Sequence, residues 1–241
     1  MPELHFSKAP IVEAILNIIL ERDIDIGALE PMKSAVRDQY PTNTSIYELT
    51  QTIELGSSSS PEQRQLGWQL RSLDELQLCQ VRVDGFSFHR LAPYTRWEEF
   101  RSEARRLWTI YRSITGTSPP IRAHALRYIN RLQIQAGEEI SDYLLVYPQV
   151  PAGLPQTLNK YSMYLDIATP MLPAASIIMR QALIGTEEPN TGAILLDLEL
   201  RFPVATGTTD DGLWNLIESA RDTKNTTFLN CLTEKAKEKI G

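Results

Sequence analysis

Nine arginines, no lysine and three acids (Glu98, Glu99 and Glu103) fall between Arg90 and Arg131, so this stretch carries +6 while the rest of the chain carries −12. Guanidinium without ammonium suits planar, bidentate recognition of carboxylate or phosphate. The densest part is Leu126-Arg127-Tyr128-Ile129-Asn130-Arg131. In an extended chain, alternation puts Arg127 and Arg131 on one face with Ala123, Ala125 and Ile129. Tyr128 and Asn130 then share the other with Arg122, His124, Leu126, Leu132 and Ile134. One use of this pattern is an anion-binding surface, in which the arginines meet a phosphate or carboxylate and Tyr128 and Asn130 are neutral hydrogen-bonding groups. Glu13, on an N-terminal strand, is then the expected partner of Arg127 or Arg131. The other use is a structural ion-pair network with Glu13, Asp197 and Glu199, because polar groups on a sheet need partners whether or not a ligand exists. The candidate binding residues are Glu13, Arg127, Tyr128, Asn130 and Arg131.

Other chemistries find less support. The chain has no Gly-x-Ser-x-Gly elbow, Walker A loop, Gly-x-Gly-x-x-Gly run after a strand, or His-Glu-x-x-His. Its histidines, His5, His89 and His124, are widely separated, and Cys79 and Cys231 have no CxxC spacing. Neither a metal site nor a disulfide framework is expected, and no cofactor is assigned. A hydrolase would need His89 or His124 beside a nucleophile. His89, in Phe86-Ser87-Phe88-His89-Arg90, reads as a strand residue with a satisfied hydrogen bond. The acid pairs Glu138-Glu139, Glu187-Glu188 and Asp210-Asp211 suit helix starts and turns. A net charge of −6 and a pI near 5.2 oppose nucleic acid as the main partner. A nucleotide or RNA ligand therefore depends on Arg127 and Arg131, assisted by Arg101 and Arg105.

These residues need elements to hold them. Residues 11–20 read as a strand with even positions apolar, and 27–39 as an amphipathic helix. Strands follow at 46–55, 66–74 and 78–90, with a flexible loop at Gly56–Pro61. Trp97, Phe100, Ala104, Leu107, Trp108, Tyr111 and Ile114 form the apolar stripe of a helix over 97–115, which makes its aromatics core and not a base-stacking platform. Thr95 is its expected N-cap, with Glu98 completing a capping box. Arg101, Arg105 and Arg112 form an expected solvent-facing stripe. The order then starts again: a strand at 121–134, a short helix or turn at 138–146, strands at 157–167, 174–185 and 192–202, and helices at 210–221 and 225–239. Matching elements recur at an offset of roughly 112 residues. The expected class is α+β, with two β-α-β-β-β-α halves (1–118 and 119–241) in one integrated domain. Together they make a mainly antiparallel, curved sheet with helices packed on one face. In layout alone, this order is similar to the duplicated fold of the TATA-binding protein.

Five strings carry a resemblance across the chain. They are Ala9-Pro10-Ile11-Val12-Glu13-Ala14, Trp97-Glu98-Glu99-Phe100, Leu126 to Arg131, Arg221-Asp222-Thr223-Lys224-Asn225 with Phe228, and Leu232-Thr233-Glu234-Lys235-Ala236. The chain resembles a sporadically distributed prokaryotic family of about this length, largely without assigned function. The resemblance implies a patchy distribution of the sort associated with mobile and defence-related gene clusters, and it carries over no catalytic residue. Glu13, Arg127, Tyr128, Asn130 and Arg131 fall at its motif positions. No apolar run approaches the roughly 18 residues of a membrane span, and Met1-Pro2-Glu3-Leu4-His5 does not start like a signal peptide. A cytoplasmic protein without membrane contact is expected. The leading expectation is a non-enzymatic binding or accessory protein with a protein partner in a defence or toxin–antitoxin-like setting. Leu213, Leu216, Ile217, Phe228, Leu232 and Ile240 either dock that partner or cover the second half-sheet. A nucleotide- or RNA-binding module and an unrecognised hydrolase are the alternatives.

Overall fold

The isoleucine-rich run Ile11–Leu20 is β1, and β-branched side chains favour that conformation. Its even positions Ala14, Leu16, Ile18 and Leu20 are all buried. The computed structural model describes residues 6, 8–51, 62–116, 119–135, 137–156, 158–169, 175–185 and 191–241. After β1 come a short α1 (Glu30–Ala35), the strands β2 (Thr42–Thr50), β3 (Glu62–Arg71), β4 (Gln77–Arg82) and β5 (Gly85–Leu91), and α2 (Trp97–Thr115). Then follow β6 (Ile121–Ile134), β7 (Ser162–Ala168), β8 (Ser176–Gly185), β9 (Gly192–Pro203), α3 (Asp210–Cys231) and α4 (Glu234–Ile240). All nine strands form one antiparallel sheet in the order β2-β3-β4-β5-β1-β6-β9-β8-β7. β1 and β6 are therefore neighbours near its middle, with Leu16 opposite Leu126.

One face of this sheet is apolar and carries the helices. Leu16, Ile18, Phe86, Phe88, Leu126 and Leu200 meet Phe100, Leu107 and Trp108 of α2 and Trp214 and Ile217 of α3. Farther along, Leu132, Ile194, Leu196 and Leu198 meet Phe228, Cys231, Ala236 and Ile240. Burying one face and leaving the other open is the usual solution for an antiparallel sheet. The C-terminal apolar residues thus cover the sheet and are not free for docking. Among the described residues, no helix is long and apolar enough to cross a membrane.

Several local expectations are corrected. Residues 78–90 are two strands, because the chain reverses at Val83-Asp84, where Arg82 grips Asp84 at 2.7 Å. A Cβ on Gly85 would lie 2.2 Å from the Ile18 carbonyl oxygen, so the close approach of β1 requires glycine. The first part of the chain accordingly has five strands, while the short helix or turn expected at 138–146 is a three-residue 3-10 turn, Ile140–Asp142. Thr95 does not cap α2: its hydroxyl donates to Glu99 at 2.6 Å, and Arg96 occupies the N-cap. Arg105 is exposed as expected and Arg101 half-buried, but both also face α3, which lies beside α2. They pair with Glu218 at 3.1 Å and Asp211 at 2.6 Å, over the Trp214 ring. The two C-terminal helices divide at Thr233, which caps α4, and not near residue 223. Glu139 caps its 3-10 turn, and Asp210 and Asp211 open α3, as acids at such positions should. Glu187-Glu188, residues 52–55 of the expected strand 46–55, and the loop at 56–61 lie outside the described residues.

Candidate functional site

The sheet divides the five candidate residues. Glu13, Arg127 and Arg131 belong to the open face, while Tyr128 and Asn130 are buried under the helices. No single surface holds all five. On the open face, Arg127 grips Asp197 through Nε at 2.8 Å and Nη2 at 2.6 Å. Arg180 then reaches Asp197 at 3.3 Å and Glu199 at 2.9 Å, and Arg201 reaches Glu199 at 2.6 Å. The result is a ladder of alternating charge across β6, β9 and β8, with the two carboxylate side chains only 9% and 7% exposed. Burial alone would raise the Glu199 carboxyl, but the bonds from Arg201 and Arg180 outweigh it and hold the group low. Arg101 and Arg105, on α2, lie across the sheet from Arg127 and cannot join it at one phosphate.

Glu13 is not in that ladder. Its Oε1 lies 2.7 Å from Nδ1 of His89, whose Nε2 lies 2.8 Å from the Ser87 hydroxyl. This corrects the expected pairing of Glu13 with Arg127 or Arg131. The register explains it: Glu13 on β1 sits beside β5, opposite Leu91, with His89 the next residue on that face. Arg131 is exposed and forms no salt bridge among the described residues.

His124 is on the helix side, fully buried and stacked on Phe202 with ring centroids 5.0 Å apart. Neither ring nitrogen has a hydrogen-bond partner among the described residues. Burial pushes its pKa down to about 4. A group kept neutral by the fold but free to protonate when unfolded costs stability as pH falls from about 6.5 towards 4. His124→Leu is therefore expected to flatten the pH dependence of urea midpoints across that window. An unchanged slope would show that His124 does not titrate there.

The helix side also encloses a cavity of about 90 Å³ between β6, α3, the start of α2 and the segment Ala9–Ile11. The Tyr94 and Tyr128 hydroxyls are 3.0 Å apart, and burial raises the Tyr94 pKa to about 12. Asn130 donates to the Leu196 carbonyl at 3.0 Å, closing the floor. Lys224 lines the wall, only 6% exposed, with Nζ 3.3 Å above the centre of the Tyr128 ring. Burial, reinforced by Arg221, pulls its pKa down to about 7. Among the described residues, Arg96, Arg221 and Lys224 are in the lining and no carboxylate is. Arg221 is itself engaged, with Glu218 at 3.5 Å and over the Trp97 ring. Lys224 has no ion-pair partner among the described residues. A wider groove on the other side of Ala9–Ile11 carries Lys8, Arg96 and Arg131.

Lys224 and Ser87 were not among the candidates read from sequence. Lys224 is placed by the helical period of α3, four residues before Phe228 and seven after Ile217, on the buried stripe. Ser87 shares a face with His89 by simple alternation. The cavity lining draws on Ala9-Pro10-Ile11, Trp97, Tyr128 and Asn130, and on Arg221, Lys224, Asn225 and Phe228, so residues of four of the five quoted strings converge there. Compared with known protein families and with curated proteins, the chain matches none.

Proposed function

We propose that the chain is a binding protein whose helix-side cavity receives the anionic head of a small molecule, with Lys224 as the counter-charge. The observation carrying this reading is an almost fully buried lysine with no acid beside it among the described residues. An unpaired buried ammonium costs several kcal/mol, which an anion in the cavity would offset. The buried acids Asp197 and Glu199, by contrast, each hold arginine partners. Size defines the ligand class. A volume of about 90 Å³ takes roughly three water molecules at about 30 Å³ each. It suits a carboxylate or phosphate head. The nucleotide reading through Arg127 loses its support because that guanidinium is held by Asp197. We also read the sheet as two related halves, 1–118 and 119–241. Each opens with a central strand and ends in a helix on the same face, the first half having one extra strand.

Inorganic phosphate and acetate, titrated by calorimetry at pH 6.5 and low salt, test the reading. At least one should bind, and Lys224→Met should weaken it by about tenfold or more. Affinity should fall as pH rises above about 7, where the free amine loses its proton. Absence of binding by either anion, or binding unchanged in the variant, overturns the proposal.

A further inference from the structure

On the opposite face of the sheet, we propose that Ser87 is an activated nucleophile that accepts acyl groups from small carboxylic esters. His89 acts as its general base, Glu13 orients that base, and Asn17 faces the developing oxyanion. The connectivity carries the argument. A carboxylate can only accept, so with neutral His89 the 2.7 Å contact to Glu13 places the proton on Nδ1. Nε2 is then an acceptor, and the Ser87 hydroxyl 2.8 Å away is its donor. Nucleophile, base and orienting acid thus stand in the order that acyl transfer requires.

The strand arrangement also identifies the remaining part. β5 lies between β4 and β1, so its ladder groups are taken up by pairing on both sides, and a backbone oxyanion hole is not available there. Side-chain amides replace it. Asn17 stands directly opposite Ser87 on β1, and its side chain makes no hydrogen bond to any described residue. Gln80, opposite on β4, already donates to Gln69 at 3.2 Å. Ile15 and Leu78 stand on either side of His89. With Ser87 itself only 4% exposed, this favours a short apolar acyl group.

In the first step Oγ bonds to the acyl carbon as its proton passes to Nε2. The ester C–O bond then breaks, and the leaving alkoxide takes that proton from Nε2. A water molecule, giving its proton to the same nitrogen, attacks the acyl carbon, and Oγ departs with the proton restored.

The folded, full-length protein should be incubated with p-nitrophenyl acetate and, separately, with a small fluorophosphonate, followed by peptide mass spectrometry. A single adduct on Ser87 is expected, absent from Ser87→Ala and from chain unfolded in urea. His89→Gln should slow labelling by about 100-fold or more. Asn17→Ala, which leaves the three-residue relay intact, should slow it by about tenfold to 100-fold. Glu13 acts through His89, so Glu13→Gln should also slow labelling of Ser87, and Glu13→Asp, which keeps a carboxylate acceptor for Nδ1, should restore part of the rate. An unlabelled Ser87 in the folded wild-type protein, or labelling at equal rates in wild type and His89→Gln, overturns the proposal. Neither result bears on Lys224, which lies across the sheet.

Discussion

Asp197→Ala is expected to destabilise the protein by about 3–5 kcal/mol, measured by urea unfolding at pH 7, because it removes one side of a nearly buried charge network. The carboxylate accepts two bonds from Arg127 and one from Arg180. Without it, Arg127 keeps no carboxylate partner and Arg180 keeps only Glu199. Both guanidinium groups retain some access to water, which favours the lower end of that range. The double variant Arg127→Met with Asp197→Leu should recover most of the loss, since exchanging a buried pair for packed apolar side chains is often close to neutral. A loss below about 1 kcal/mol in the single variant would place this ladder with ordinary surface ion pairs. Acid should weaken the same network through Glu199. Its carboxyl is held below its usual value in the fold, so its contribution is complete above about 4.5, the ordinary glutamate value, and is lost as pH falls through the lower folded value.

The contrast between Arg127 and Arg180 shows what was legible in the sequence. Alternation along 121–134 correctly separated Arg127 and Arg131 from Tyr128 and Asn130, because strand side chains alternate whatever the neighbours are. The same reading then grouped all five as one surface, which alternation itself forbids. Asp197 and Glu199 were named as partners, but Arg180 was not. Its place opposite Asp197 depends on the register between β8 and β9, a nonlocal property that no local pattern encodes. The amphipathic stripe of α2 marked its buried residues, whereas its arginines took acids from α3 that sequence spacing could not bring beside them. The β4–β5 reversal is in fact marked locally: the apolar positions change from odd (Cys79, Val81, Val83) to even (Phe86, Phe88) across Asp84-Gly85, a shift that reading 78–90 as one strand passes over. Lys224 was lost for a different reason: a lysine and two polar neighbours near residue 223 look like a helix break, and only burial by β6 and the N-terminal segment shows otherwise.

Lys224→Met is expected to stabilise the ligand-free protein, by about 3–5 kcal/mol at pH 6, although it removes the residue on which anion binding is proposed to depend. The fold lowers this amine from its ordinary value near 10.5 to about 7. Between those values the unfolded chain binds the proton more tightly than the folded chain, so the wild-type protein gains stability as pH rises from about 7 to 10.5. Below about 7 both states are protonated, and the full cost of burying the charge remains. Each unit of displacement corresponds to about 1.4 kcal/mol, and loss of the contact with the Tyr128 ring returns up to about 2 kcal/mol of that gain. Methionine is long and unbranched enough to fill the same space. The gain should therefore shrink as pH rises and vanish near 10.5, where the folded amine is neutral and wild type and variant differ by packing alone. Saturating the wild type with an anion that binds should close the same gap at pH 6, because a ligand that binds only the folded state stabilises it by mass action. Denaturant unfolding at pH 6, 8 and 10 checks the sequence of values. Equal stability of the two proteins at all three would mean that the ammonium already has a counter-charge in the fold, and that the cavity does not need an anion from outside.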